Sequence, residues 1–478
     1  MRLVHTSIAI TLVAATVACA PAGPDYLRPT LAPPTQHRTA QITTDQARSL
    51  ADTAWADLFR SPELAALVRD ALDHNLDLMA AAARVEEFRG RAALAGIDTR
   101  PTVAGAFKTA PSPTGGAIDN AYNAGIFFNW EIDFFGRLRR SAEAARADLL
   151  ASESGQRAVM ASIVTGVADL YVTLRALDEQ AAILKRNIQV QEDTLALARR
   201  LSEGGVASGL EVQQALTQVA STRAALPRVE RQILQVENAL SFLAGRAPGP
   251  VARGAGDLGL PVVPEVPAGL PSALLERRPD IVAAEHQLRA ANARIGVAVA
   301  NRIPVPRIGL TASFGRLSTS LSDFFSGGVK AQNLLSWGPF VDLPIYDGSR
   351  ANSRIRIAHA QAEQAALAYR SAFLQALREV ADALGTGETA VRELAETQAS
   401  LNAAREYYRL TDMRYRGGVA SYLEVLDAQR QVLSTELAVA TSRTTQLSAT
   451  VALYRALGGG WSDEELARLS AREMTARK

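Results

Sequence analysis

Leu201 to Gln218 read LSEGGVASGLEVQQALTQ, and 213 positions later Arg414 to Gln431 read RYRGGVASYLEVLDAQRQ. Gly-Gly-Val-Ala-Ser and Leu-Glu-Val stand in one register both times. The correspondence extends outward: Asn75-Leu76-Asp77-Leu78 pairs with Arg278-Pro279-Asp280-Ile281 at an offset of 203, as does Arg100-Pro101 with Ile303-Pro304. Beyond the prolines the offset grows, to 212 for Phe135-Gly136 on Asp347-Gly348 and 213 for Val167-Ala168-Asp169 on Val380-Ala381-Asp382. Gly245 and Gly458 close the two copies. A period of about 210 residues far exceeds that of a solenoid, so a whole structural unit is duplicated in tandem.

The repeats are assigned to residues 62–245 and 272–458, joined by a linker over 246–271 and followed by a tail over 459–478. Each begins with a helix, Leu64 to Thr99 or Ala273 to Arg302, stopped by the proline at 101 or 304. Two non-helical runs follow. Then comes a very long helix, Arg137 to Ser202 or Ser349 to Arg416, a Gly-Gly break, and a last helix to Gly245 or Gly458. About 66 helical residues at 1.5 Å each extend about 100 Å, more than a globular domain needs.

The non-helical runs alternate. From Tyr122 to Phe135 the even positions are Tyr, Ala, Ile, Phe, Trp, Ile and Phe, with mainly Asn, Gly, Glu and Asp between them. Arg307 to Gly315 and Leu335 to Ile345 repeat the pattern, and Thr102 to Lys108 carries it weakly. Strands of about ten residues with one apolar face and aromatics near their ends suit a transmembrane β-barrel, and also, by pattern alone, a ribbon packed on helices. Ser112 to Gly116 and Ser318 to Gly328 read as external loops. Four strands cannot close a barrel and open edges are not tolerated in lipid, so the barrel reading requires an oligomer.

Composition agrees with a helical chain and excludes some functions. Lys and Arg total 51 against 49 Asp and Glu, which gives no electrostatic case for nucleic acid. The five histidines, at 5, 37, 74, 286 and 359, lack metal spacing, and no phosphate-binding Gly-x-x-x-x-Gly-Lys occurs, so the chain is expected not to be an enzyme and to need no cofactor or metal. Residues 1–18 read as a secretory signal, with an apolar segment from Ile8 to Ala18 too short to span a bilayer. The sole cysteine, Cys19, follows directly. Thr16-Val17-Ala18-Cys19 resembles a bacterial lipobox in which Cys19 becomes the lipidated first residue of a segment over 19–61, and Ala20 in place of Asp implies the outer membrane.

Six phrases in order carry a wider resemblance: Gly23-Pro24-Asp25-Tyr26, WADLFRSPEL from Trp55, WEIDFFGR from Trp130, Arg278-Pro279-Asp280-Ile281, LPIYDG from Leu343, and LEVLDAQR from Leu423. Over Cys19 to about Trp461 the chain resembles the TolC-like outer membrane factors, in the NodT-type lipoprotein branch. The resemblance implies a mainly α protein with transmembrane β-structure. Three chains would share a twelve-stranded outer-membrane barrel, four strands each, continued by a long periplasmic α-helical barrel. It implies the exit duct of a tripartite resistance-nodulation-division efflux system, working with a periplasmic adaptor and an inner-membrane pump. Protein secretion through the same fold is the alternative.

The same resemblance assigns residues. Gly204, Gly205, Val206, Ala207 and Ser208, with Gly417, Gly418, Val419, Ala420 and Ser421, become tips on which the adaptor docks. Leu423, Glu424 and Asp427 become the gate, and Glu211 and Tyr415 the groups tying the two hairpins in the closed state. Taken alone, Glu424 and Asp427 share a helix face, and such a pair reads as solvated surface. Ala420 stands where some relatives use an arginine for such ties.

Overall fold

The computed structural model describes residues 21–32, 34, 61–114, 117–254, 274–302, 305–328 and 331–459, with the side chains of 110–121 left aside. The signal, Cys19, Trp55, Gly115-Gly116, Pro304, most of the linker and nearly all of the tail lie outside them. Element order is α1 Pro62–His74, α2 Leu76–Ile97, β1 Thr102–Thr114, β2 Ala117–Ile132, α3 Arg137–Glu203 and α4 Gly209–Leu243. The second half runs α5 Leu274–Arg277, α6 Pro279–Ala300, β3 Arg307–Ser318, α7 Leu321–Ser326, β4 Ala331–Asp342, α8 Arg350–Arg416 and α9 Tyr422–Ala456.

The chain divides into two compact units, one of 1–31, 83–154 and 282–371 and one of the remaining residues. The first holds an antiparallel sheet in the order β1-β2-β3-β4. Its register sets Val103, Phe128, Ala312 and Trp337 side by side, and likewise Gly105, Ile126, Phe314 and Leu335. Alternation then puts Phe107, Trp130, Ile308, Leu310 and Val341 on that same face. The opposite face carries Lys108, Asn123, Asn129, Glu131, Arg307, Thr311, Ser313, Ser336 and Asp342. The apolar face is bare: Trp337 is 78% exposed, and Val103, Ile126, Phe314, Leu335 and Val341 are exposed with it. β1 and β4 each leave one edge unpaired.

Two of the sequence phrases prove to head the long helices α3 and α8. In WEIDFFGR, Asp133 accepts from the backbone N–H groups of Leu138 (3.1 Å) and Arg139 (2.9 Å), and Glu131 pairs with Arg137 at 2.8 Å. In LPIYDG, Asp347 accepts from the N–H of Ala351 at 2.7 Å. Each carboxylate satisfies orphan donors at the head of a 67-residue helix and complements its dipole. The Gly-Pro-Asp-Tyr phrase is a strap in the same unit. Asp25 pairs with Arg140 (2.7 Å), Tyr26 donates to Glu285, and a Cβ on Gly23 would lie 2.5 Å from the Cα of Gly296, closer than any side chain permits.

The opening helix expected in each repeat is two helices. Asn75, 2% exposed, leaves helical geometry at ψ 127°. Its Oδ1 accepts from the N–H of Leu78 (3.0 Å) and its Nδ2 donates to the carbonyl of Leu243 (2.9 Å). In the second copy Pro279 starts α6, a position that suits it because the missing N–H needs no partner there. The expected external loop Ser318 to Gly328 contains the short helix α7.

Candidate functional site

The second unit contains the C-terminal parts of α3 and α8 with α4 and α9, and so both hairpin turns. They are built alike. The N–H of Val206 donates to the carbonyl of Leu201 (2.9 Å) and that of Gly205 to Ser202 (3.0 Å). One repeat on, Val419 donates to Arg414 (3.0 Å) and Gly418 to Tyr415 (2.9 Å). Gly205 and Gly418 take φ of 75° and 74°, a left-handed conformation that closes a helix cheaply only with glycine. Ser208 and Ser421 are extended N-caps of the returning helices. Gly204 and Gly417 are exposed, and Ala207 and Ala420 half-buried, so Ala420 offers a methyl at the turn. Each tip ends in a bare valine, Val206 at 74% and Val419 at 70%, with Leu210 and Leu423 exposed one turn further on.

Behind the second tip, Glu424 and Asp427 share one face of α9 and each has a partner on α8. Arg414 Nη1 lies 3.3 Å from Glu424 Oε2, and the Tyr407 hydroxyl donates to Asp427 Oδ2 at 3.2 Å. Desolvation and Asp427 raise the Tyr407 phenol above its ordinary value, so it remains a donor. The carboxylates are thus paired groups rather than bare charges. Asp427 is exposed and Glu424 half-buried, so the pairing is partly screened.

The two hairpins meet through Tyr415, whose hydroxyl donates to Glu211 Oε2 at 3.4 Å. Tyr415 is 5% exposed and packs on Tyr422, ring centroids 5.8 Å apart, within a cluster of Leu195, Ala215, Val219, Val425 and Leu426. Burial first, then the charge and hydrogen bond of Glu211, push its phenol up to about 12. Farther from the tips Gln429 Nε2 donates to Thr194 Oγ1 (2.9 Å), Arg430 Nε to Gln218 Oε1 (2.8 Å) and Asn187 Nδ2 to Glu436 (2.8 Å).

The structure therefore brings Glu211 to Tyr415 and leaves Leu423, Glu424 and Asp427 on an accessible flank. Sequence reading missed Arg414, Tyr407, Gln429 and Arg430. For Arg414 and Tyr407 the signal available was hairpin symmetry, since residues equally far before and after a turn face each other; the partners of Gln429 and Arg430 lie on the other hairpin, where that symmetry says nothing.

The outer membrane efflux protein family matches residues 67–246 and 270–459. TtgC of Pseudomonas putida, a probable efflux pump outer membrane protein, is 35% identical over 424 residues, 87% of this chain and 86% of its own. SilC of Salmonella typhimurium, a probable outer membrane lipoprotein, is 31% identical over 453 residues, 93% of this chain and 96% of its own. The open-state MtrE outer membrane channel of Neisseria gonorrhoeae superposes with a TM-score of 0.80 at 30% identity, over 92% of this chain and 98% of that one. The four-stranded sheet, the long helices and these matches together have one reading: the chain belongs to the outer membrane efflux protein family and has the TolC-like fold.

Proposed function

We propose that this chain is one third of a passive exit duct in the outer membrane, the last component of a tripartite resistance-nodulation-division efflux system. The observation that carries the reading is the sheet with two open edges and one bare apolar face. Lipid does not tolerate unpaired backbone, and closing four strands into a barrel requires other chains. Three copies give twelve strands, with the apolar face outward and the polar face lining a watery lumen. The matched relatives, named for efflux and the outer membrane, support the duct over the secretion alternative.

On this reading the six tips of a trimer dock a periplasmic adaptor through Val206, Val419 and their neighbours, and a proton-driven inner-membrane pump supplies the energy. Leu423, Glu424 and Asp427 form the constriction, and the Glu211–Tyr415 bond helps to hold it shut. Cys19 carries the lipid, after removal of 1–18. Residues 62–245 and 272–458 are the duplicated units, with 246–271 and 459–478 at the level between barrel and tube. Native mass spectrometry in mild detergent, with tryptophan quenching, tests the duct. A trimer in which Trp130 and Trp337 are shielded from aqueous iodide is expected. A monodisperse monomer with both quenched overturns the shared barrel.

A further inference from the structure

The segment joining β3 to β4 does not stand clear as an external loop: it folds back over the apolar face of the sheet. Phe107, Ala124, Arg316 and Asn333 are register neighbours on that face, one on each strand. Phe324 of α7 meets Phe107 edge-on, centroids 5.7 Å apart, and its carbonyl accepts from Arg316 Nη1 at 2.9 Å. It therefore bridges β1 and β3 across the small side chain of Ala124, and it is buried there. Arg316 Nε also donates to Asn333 Oδ1 at 3.3 Å, so its guanidinium links the row to α7. Gly327, left-handed at φ 75°, ends α7 and turns the chain back toward β4.

This docking leaves Phe325 75% exposed beside Phe324, its ring edge-on at 5.3 Å, with Leu321 exposed one turn away. Through Phe324, α7 sits on the row of Phe107 and Arg316, two positions from the end of the sheet formed by Tyr122, Ser318 and Ala331. That is the end opposite the helix starts at Arg137 and Arg350, and so the external one for a duct whose helices enter the periplasm.

We propose that α7 is a membrane anchor: Leu321 and Phe325 insert among the acyl chains of the external leaflet and extend the lipid-contacting face beyond the strands. The occupant is lipid rather than a second copy, because Phe324 lies across β2, an interior strand, and copies join through the β1 and β4 edges. The inference rests on the duct reading only for which end is external. An aromatic ring and a leucine exposed on a short helix suit that boundary.

Site-directed spin labelling of the full-length trimer in phosphatidylethanolamine–phosphatidylglycerol vesicles tests it. Labels go at Phe325→Cys and, as an independent position, Leu321→Cys. Leu335→Cys serves as the lipid-facing reference and Thr311→Cys as the polar-face reference. Both α7 labels are expected to relax with oxygen and resist a water-soluble nickel chelate, as Leu335 does. If both follow Thr311 instead, α7 is an aqueous loop and the anchor is refuted. If Leu335 itself behaves like Thr311, the apolar face does not meet lipid and the duct reading fails first.

Discussion

Replacing Tyr415 with Phe removes one hydroxyl and little else. The ring stays buried against Tyr422 and the Leu195–Val219–Leu426 cluster, and Glu211, half-buried, regains water. A hydrogen bond to a charged group contributes about 1.5–3 kcal/mol at good geometry, and at 3.4 Å the Tyr415–Glu211 bond belongs below that range, about 1 kcal/mol per chain. Three chains opening as one unit sum to about 3 kcal/mol, roughly a 150-fold rise in the ratio of open to closed channels. If each hairpin moved alone the change would be only about fivefold. Single-channel recording in planar bilayers separates the two. Glu211→Gln keeps the side-chain volume and should act through the same bond, so the double mutant should add little to either single one. The pH dependence has a definite sign. The folded phenol titrates at about 12 against an ordinary 10.0, so the tie is complete below about 10 and is lost as the pH rises toward 12. Unchanged open probability in both single mutants, with trimers intact, would falsify the tie.

The paired carboxylates give a second set of outcomes. Glu424→Ala with Asp427→Ala should raise conductance and lower cation preference, while Arg414→Ala, which bares Glu424, should raise cation preference, both read from reversal potentials. At the tip, Gly418→Ala places a Cβ in open space but in a left-handed backbone, costing about 1–2 kcal/mol locally. Together with Val419→Asp it should reduce efflux and adaptor cross-linking while trimer mass is unchanged. Asn75→Ala orphans the Leu78 N–H and the Leu243 carbonyl, and should cost about 2–4 kcal/mol, seen as a lower thermal midpoint. Cys19→Ser should abolish acyl labelling yet leave much of the transport, since a barrel holds itself in the membrane.

Much of this architecture is legible in the chain because its periodicities are long and uninterrupted. Alternation over Tyr122 to Ile132 dictates a two-faced strand, and the register confirms it by aligning Phe128 with Ala312 and Trp337. Gly205 and Gly418 are legible because only glycine takes that backbone cheaply. The breaks at Asn75 and Arg278 are masked by the helical pattern on either side of them, although Pro279 announces a helix start. A capping asparagine looks like any polar residue until its partner, the carbonyl of Leu243 168 residues away, is known. Arg414 and Tyr407 were missed for a related reason. Their acceptors lie across a turn, and periodicity along one helix says nothing about what the returning helix presents.

The duplication also shows how one sequence yields two hairpins of different use. At an offset of 213, Glu211 and Glu424 are the same position, yet one accepts from Tyr415 across hairpins and the other pairs with Arg414 within its own. The partners explain the divergence: the counterparts of Tyr415 and Arg414 are Ser202 and Leu201, which can supply neither a long donor nor a charge. The tie can form in only one direction. Above it, Gln429 to Thr194 (α9 to α3) and Arg430 to Gln218 (α9 to α4) join the same two hairpins about two turns farther from the tips. On the proposed reading these upper bonds are the fulcrum and Tyr415 the latch. A hairpin released at its end but held above pivots rather than slides, and a pivot carries Leu423, Glu424 and Asp427, which lie on the tip side of the upper bonds, along with the tip.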